Sequence, residues 1–532
     1  MTWNLGKMPV SRWYAAVACL SALAAGCSAG TDGTGPARPN IIYILADDLG
    51  YGELGVYGQE KIETPNLDAL AARGMRFTQH YTGAPVCAPA RYMLLTGRHA
   101  GHAYIRGNDE WRERGAVWDY RAAVRDASLE GQRPIPAETL LFPRWLQEAG
   151  YVTGMIGKWG LGAPHTDAIP TRMGFDYFFG YNCQRQAHTY YPVHLYENED
   201  RVYLANDTVP PNTRLAEGAD PADERSYAPF RQADYAPDRM FGKLMDFVAA
   251  NRDEPFFLYW ATPIPHNAIQ APQRWVDHYR RKFGDEPPYL GEQGYFPHPS
   301  PRAGYAAMIS YLDENVGKLM AYLDSTGLSE NTLLLFSSDN GVTFSGGTDG
   351  PFFDSSGPFG EEYGRGKGFV YEGGIRVPLI AAWPGRIPAG SVTDHCSAHY
   401  DLVPTLAELL GLAWPAGTDG ISFLPTLRGR PADQAEHPFL YWEFPEYGGQ
   451  VAIRMGDWKL VRQQLNKPDG TPTLELYNLA ADPQEQHNVA AEHPDVVRAA
   501  AAVFAREHTD SEVERFRIPL LENGLLAGTG LR

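Results

Sequence analysis

Cysteine is scarce in this chain: only Cys19, Cys27, Cys87, Cys183 and Cys396 occur among 532 residues. Spaced so widely, they exclude a disulfide-stapled scaffold, and the three thiols after Cys27 cannot all pair within the chain. Basic residues are short as well. With 46 Lys and Arg against 64 Asp and Glu, the formal net charge is −18. No basic stripe offsets it, so the counterion release that drives nucleic-acid binding is opposed, and DNA and RNA are excluded as partners. No hydrophobic run is long enough to anchor the chain across a bilayer, and no internal repeat or coiled-coil pattern occurs. What is present suffices for a large core, since 44% of residues are hydrophobic and 12% aromatic. Despite 55 Gly and 42 Pro, this is neither a disordered nor a collagen-like composition. The length suits a main domain with a smaller satellite.

Residues 1–26 carry Lys7 and Arg12, no acidic residue, and then the apolar or small run Tyr14–Gly26, which reads as a secretory signal. The run ends in Leu23-Ala24-Ala25-Gly26-Cys27, which resembles a bacterial lipobox with its leucine one position early. That makes Cys27 a candidate lipid anchor, the other reading being ordinary signal cleavage nearby. Residues 27–38, rich in Gly, Ser, Thr and Pro, then serve as a flexible tether. On either reading the protein is exported, to the periplasm or the cell surface, an outer-membrane lipoprotein being one form. In an oxidising compartment Cys183 and Cys396 either form a bridge or are each a buried small hydrophobe, and one sequence leaves both open.

The run Asn40–Ala46 is apolar almost throughout and ends in Asp47-Asp48, the pattern of a parallel strand buried on both faces with polar groups at its carboxyl end. Thr64-Pro65 offers an N-cap and a first-turn proline for a helix that runs to Arg73 and stops at Gly74. Tyr151–Ile156, Phe256–Trp260, Thr332–Phe336 and Val377–Ala382 predict further strands. Between them, Tyr305, Met308, Leu312, Val316, Leu319 and Leu323 recur at helical spacing. This alternation predicts an α/β fold, a large mostly parallel sheet flanked by helices, over residues 39–430. Further on, Leu440–Phe444, Val451–Met455, Trp458–Val461 and Leu474–Tyr477 are short runs split by turn residues. They predict a smaller antiparallel sheet, joined by a helix over Pro494–Glu507, in a C-terminal subdomain and tail of residues 431–532.

Four clusters carry chemistry, each where a strand is expected to end, the edge at which open α/β sheets bind ligands. They are Asp47-Asp48, Cys87-Ala88-Pro89-Ala90-Arg91, Gly157-Lys158-Trp159-Gly160, and Ser338-Asp339-Asn340-Gly341 with Gly366-Lys367-Gly368. Asp47, Asp48, Asp339 and Asn340 offer only oxygen ligands, which suits Ca²⁺ or Mg²⁺ rather than zinc. Either pair alone is equally a turn or a cap. Cys87 precedes an apolar stretch that reads as helix, so its thiol lies at a helix N-terminus beside Arg91, where an anion is favoured. Taken singly, a cysteine there is more commonly an inert buried one.

Cys-x-Pro-x-Arg at 87–91, followed by Leu95-Thr96-Gly97-Arg98, resembles the signature of the type I, formylglycine-dependent sulfatases of the alkaline-phosphatase-like superfamily. Asn40–Asp48, Thr64–Asp68, Gly157–Trp159, Pro265-His266, Ser338–Gly341, the Lys367 segment and Leu476–Pro483 match that family in order, so the resemblance extends from Pro39 to Ala490. It implies a sulfuric ester hydrolase. Cys87 would be oxidised to formylglycine by a maturation enzyme. The aldehyde hydrate would attack sulfur, expel the alcohol and later release sulfate as the carbonyl re-forms. The resemblance further implies that Asp47, Asp48, Asp339 and Asn340, with modified Cys87, hold one Ca²⁺ in preference to Mg²⁺, Asp339 also assisting deprotonation. Arg91 and Lys158 would hold the diol. Lys158, Lys367 and His266 would contact sulfate, with His266 the proton donor to the departing alcohol.

One position departs from the family pattern: Gly160 stands where many sulfatases have a histidine, and His165 or His188 could substitute for it. The stretch Gly180–Tyr191 mixes amides, Arg185, His188 and aromatics, which suits a sugar pocket or internal packing alike. The expected substrate is a sulfated saccharide, of galactose type, with small aryl sulfates as surrogates. Two other functions compete. A phosphate or phosphonate ester hydrolase of the same superfamily is opposed by Cys-x-Pro-x-Arg, and an inactive lipoprotein that binds sulfated glycans is opposed by the other retained groups.

Overall fold

The computed structural model describes residues 38–522 apart from Glu361 and 468–470. The signal segment, Cys27 and the tether up to residue 37 lie outside the described residues. Eleven strands build one large sheet: β1 (Asn40–Ala46), β2 (Met75–Tyr81), β3 (Val152–Lys158), β4 (Tyr177–Tyr181), β5 (His194–Glu197), β6 (Asp200–Tyr203), β7 (Phe256–Ala261), β8 (Thr332–Ser338), β9 (Arg376–Ala382), β10 (Ser391–Thr393) and β11 (Ser397–Ala398). Their order is β10-β2-β9-β8-β1-β7-β3-β4-β5-β6, with β11 also on β2. The central strands β8-β1-β7-β3-β4 are parallel. β9 runs against both β8 and β2, and β5 and β6 finish the far edge antiparallel.

β1 sits centrally because it is apolar on both faces. Ile41, Tyr43 and Leu45 enter one core layer, and Ile42, Ile44 and Ala46 the other. The Cys87–Thr96 helix covers the first face with Met93, Leu94 and Leu95. The Pro301–Thr326 helix covers the second with Met308, Leu312 and Val316. β2, β4, β5 and β6 escape the hydrophobic-run criterion. β2 reads Met-Arg-Phe-Thr-Gln-His-Tyr, and β6 is largely exposed, so neither presents a continuous apolar stretch. The Pro65–Ala72 helix forms without the expected cap. Thr64 instead accepts from the Gly55 N–H at 2.8 Å, while Asp313 of the long helix receives the N–H of Leu67 at 2.7 Å and of Asn66 at 3.2 Å. A tertiary carboxylate has taken over the orphan donors of the first turn.

The small sheet is antiparallel and in chain order: β12 (Leu440–Phe444), β13 (Gln450–Met455), β14 (Trp458–Arg462) and β15 (Glu475–Asn478). On one face Tyr441, Val451 and Ile453 join Val497, Ala500 and Phe504 of the Pro494–Glu507 helix. On the other, Leu440, Trp442, Phe444 and Val461 pack on Val86, Val370 and Tyr371. The thiols of Cys183 and Cys396 are free, so no bridge joins them. Among the described residues no helix is long and apolar enough to cross a membrane.

A fully buried ion knot joins the two sheets. Lys459 lies 2.9 Å from both Glu372 and Glu485, and Glu372 also receives the Tyr81 hydroxyl at 2.6 Å. Burial works against ionisation of Glu372, but Lys459, Arg376 and Arg454 outweigh it and hold the carboxyl down to about 2. Burial pushes Glu485 up to about 7. Replacing Lys459 by Leu leaves buried Glu485 without its cation and Glu372 with Arg376 as its remaining ion-pair partner, and is expected to lower the unfolding free energy by about 3–5 kcal/mol. Urea denaturation measures this, and an unchanged midpoint would show that the knot does not tie the sheets together.

Candidate active site

The parallel strands open at one edge. β1 runs into Asp47 and Asp48, β8 into Asp339 and Asn340, and β3 ends on Lys158. The two central strand ends are stitched together: the Ser338 hydroxyl accepts from the Leu49 N–H at 2.9 Å, and Asp339 Oδ1 accepts from the Asp48 N–H at 3.1 Å. Asp48 itself adopts the left-handed backbone, φ 68°, a conformation sparsely populated by non-glycine residues and held here by the bond from its N–H to Asp339. Cys87 opens its helix, and Arg91 lies one turn on, on the same face. Lys367 comes before β9 rather than after a strand. Because β9 runs antiparallel, its beginning shares this edge with the ends of its neighbours.

Around Cys87 the side chains interlock. Its Sγ donates to Asp47 Oδ1 at 3.3 Å, and Lys158 Nζ bonds Asp47 Oδ2 at 2.5 Å. Arg91 donates twice to Asp339 Oδ2, at 2.8 and 3.1 Å, and once to the Lys158 carbonyl at 2.7 Å. It also reaches within 3.5 Å of Asp47. Lys367 Nζ grips both oxygens of Asp48, at 2.6 and 2.7 Å, and lies 3.6 Å from Cys87 Sγ. Asn340 Nδ2 donates to Asp48 Oδ1 at 2.8 Å. His266 Nδ1 donates to the Asn267 carbonyl, leaving Nε2 3.8 Å from Asp48. Donor atoms of Asp47, Asp48, Cys87 and His266 all lie within 4.8 Å of one another.

Three carboxylates face three cations in this buried space, and the balance is tight. Burial opposes the charge on Asp47, but Lys158, His266 and Arg91 hold it well below the usual carboxylate range. Burial and the neighbouring Asp47 push Asp339 up to about 7, and burial raises Asp48 despite Lys367. Burial and Asp47 push the Cys87 thiol up, so it stays protonated. Burial, Lys367 and Lys158 push His266 down. Two of the three acids are therefore poorly compensated by protein cations alone, and Asn340 Oδ1, on the amide that holds Asp48, is buried without a partner. An oxygen-rich donor set with an orphaned acceptor fits a hard divalent cation.

His188 stacks on His266 with ring centroids 5.1 Å apart. Arg185, expected to contact substrate, donates to the Val117 carbonyl and lies over the Trp118 ring, so it ties its loop to the distant 117–118 segment. His165 is exposed and stands outside the cluster. Space beside Gly160 is filled by Gln184: a Cβ on Gly160, whose φ is 81°, would lie 2.6 Å from Gln184 Cγ. Sequence reasoning missed Tyr295, whose ring contacts both His188 and His266. It also missed Thr82, which donates to the Asp339 carbonyl at 2.6 Å, and Asn108, which accepts from the Ala88 N–H at the helix start. None of the three sits in a run or spacing that marks it.

Comparison with known proteins follows the same outline. The sulfatase family model matches residues 39–412, and the model of the N-sulphoglucosamine sulphohydrolase C-terminal region matches residues 360–503. The N-acetylgalactosamine-6-sulfatase of Canis lupus familiaris is 32% identical over 85% of this chain and 78% of its own length. Human arylsulfatase A is 32% identical over 87% of this chain and 86% of its own. Among solved structures, Ps i-CgsB aligns with a TM-score of 0.69 and 26% identity, covering 92% of this chain and 98% of that one.

The Gly160 site gives a direct check. Gly160→His meets both a left-handed backbone and the Gln184 side chain, and is expected to destabilise the protein by about 1–3 kcal/mol. Adding Gln184→Ala should recover part of that loss by removing the clash while leaving the backbone strain. Thermal denaturation of the single and double variants measures both, and a fully stable Gly160→His protein would contradict the packing described.

Proposed function

The chain belongs to the sulfatase family, whose members hydrolyse sulfuric esters, and from that premise we propose that it removes sulfate from a carbohydrate ester at residue 87. The observation that carries this reading is the convergence on one buried thiol of Asp47 and Lys367, backed by Arg91 and Lys158. As a plain cysteine, residue 87 is a poor nucleophile, since burial and Asp47 keep its proton on. Conversion of Cys87 to formylglycine by a maturation enzyme removes that obstacle, the aldehyde hydrate supplying an oxygen nucleophile. Arg91 and Lys158 then fix residue 87 from the protein side. Lys367, turned toward both Asp48 and Cys87, is the group that receives the incoming anion.

Asp47, Asp48, Asp339 and Asn340 would hold Ca²⁺, in preference to Mg²⁺, with residue 87 as a further ligand. Such an ion supplies Lewis-acid stabilisation of negative charge on sulfate oxygens. His266, its Nδ1 committed to the Asn267 carbonyl, keeps Nε2 free for the proton that the leaving alcohol needs. An arriving sulfate adds negative charge beside it and counters the lysines that otherwise keep it neutral. His188, stacked on His266, is the histidine we assign to the role left open by Gly160. The N-acetylgalactosamine-6-sulfatases among its relatives support an amino-sugar or galactose-type saccharide sulfate as substrate. The amino-terminal sequence supports export, with Cys27 as a lipid anchor.

Two measurements test this. Mass spectrometry of the peptide containing residue 87, from protein matured in a host with a formylglycine-generating enzyme, should find the aldehyde. Cys87→Ala should lower sulfate release from a sulfated-saccharide panel by about 10³-fold or more. Undiminished release by that variant would refute the mechanism, and preferential phosphate release by the wild type would favour an ester hydrolase of the other kind. Separately, Ca²⁺ at a hundred-fold excess over its Kd should stabilise the protein by about 2.7 kcal/mol. Asn340→Leu should reduce the calcium-induced shift in thermal midpoint, and equal shifts in both proteins would remove Asn340 from the metal site.

A further inference from the structure

Four aromatic rings surround the segment that carries Lys367. The lysine is bracketed by Gly366 and Gly368. A Cβ on Gly366 would lie 2.4 Å from Phe344 Cε2, and one on Gly368 3.0 Å from Tyr447 Cζ. The two glycines let a ring lie directly on the backbone at either side of the lysine. Phe344 packs edge-on against Tyr363 at 6.2 Å between centroids, Tyr363 against Phe369 at 5.9 Å, and Phe369 against Tyr447 at 5.5 Å. The tyrosines stay open to solvent, Tyr363 77% and Tyr447 54% exposed. Contiguous exposed aromatics of this kind mark a surface that something covers.

Tyr447 is held in place deliberately. Its backbone is left-handed, φ 51°, and Gly448 and Gly449 follow at 96° and 75°, a strained tip at the β12–β13 hairpin. Gln450, the next residue, locks that hairpin to the lysine segment. Its amide donates to the Gly368 carbonyl at 2.7 Å and accepts from the Val370 N–H at 3.2 Å. The ring therefore has a fixed position relative to Lys367, whose ammonium lies 3.6 Å from Cys87 Sγ. Lys367 thus links the reacting centre to these rings, its ammonium turned to Cys87 and its two neighbouring glycines carrying Phe344 and Tyr447.

We propose that Tyr447 and Tyr363 form the platform on which a pyranose ring of the substrate stacks, a proposal that rests on the carbohydrate-ester reading above. A pyranose pairs an apolar C–H face with a rim of hydroxyls. Tyr447 stacks on Phe444 at 5.9 Å, and the solvent-facing parts of the two rings match the first, while the two phenol hydroxyls, hydrogen-bonded to no other described residue, match the second. Tyr447 and Tyr363 are thus specificity-determining rather than catalytic residues.

The test uses the matured full-length protein with a sulfated oligosaccharide from the panel and with p-nitrophenyl sulfate. Tyr447→Ala, and to a smaller extent Tyr363→Ala, should raise KM for the oligosaccharide about ten-fold with kcat changed little. The ratio of oligosaccharide KM to p-nitrophenyl sulfate KM should rise about five-fold or more, and Tyr447→Phe should restore most of the loss by returning the ring face. An unchanged ratio in both alanine variants would overturn the platform while leaving the carbohydrate reading intact. Wild-type protein that turns over p-nitrophenyl sulfate but no saccharide sulfate would overturn that reading and the platform with it.

Discussion

Charge buried in a low-dielectric interior has to be paired, and in this protein the pairing around Cys87 organises one edge of the large sheet. Asp47, Asp48 and Asp339 and the cations Arg91, Lys158 and Lys367 come from five separate stretches of chain. None of the three acids could stay ionised there alone, because an isolated buried carboxylate gives up its charge sooner than its solvation. Arg91 is the keystone. From the helix that Cys87 begins, it contacts Asp339 and the Lys158 carbonyl and approaches Asp47, so β8, β3 and β1 are all referenced to one guanidinium. Its planar, permanently charged fork suits that task better than a lysine would. The compensation is incomplete at Asp48 and Asp339, which is the electrostatic reason an oxygen-bound cation fits the same space.

Strand direction decides what else can reach that edge. Were β9 parallel to β8, the segment before it would lie at the opposite edge of the sheet and Lys367 could not meet Cys87. One reversed strand in a mostly parallel sheet supplies the sixth charged group. The small sheet then fixes the approach. Trp442 donates to the Thr82 carbonyl at 2.8 Å, Gln450 clamps Gly368 and Val370, and Lys459 neutralises Glu372 just beyond. Each of these contacts bears on backbone within a few residues of Cys87 or Lys367. The C-terminal sheet therefore braces the backbone that carries Cys87 and Lys367, and its β12–β13 hairpin lays an aromatic ring on Gly368.

Much of this was readable from residues alone. β1, β3, β7, β8 and β9 declare themselves as apolar runs, and the long helix and the four short C-terminal strands by their periods, because burial on one or two faces imposes a local pattern. β2 and β6 do not, since mixed or exposed strands have no such signature, and β4 and β5, though largely buried, are only five and four residues long. Among the site residues, Asp47, Cys87, Lys158 and Asp339 stand in recognisable motifs. Tyr295, Thr82, Asn108 and Gln450 belong to no motif and act only through partners distant in sequence.

By itself, then, the sequence determined the fold class, the two-sheet division and the residue types at the chemical centre, because hydrophobic period and motif spacing are local properties of the chain. Only the tertiary structure decided the direction of β9, the docking of Arg185 on the 117–118 segment, the filling of the Gly160 space by Gln184 and the placing of Tyr447 over Gly368. Each depends on which distant segments come within a few ångströms of one another, and side-chain contacts at that range are set by packing across the whole core.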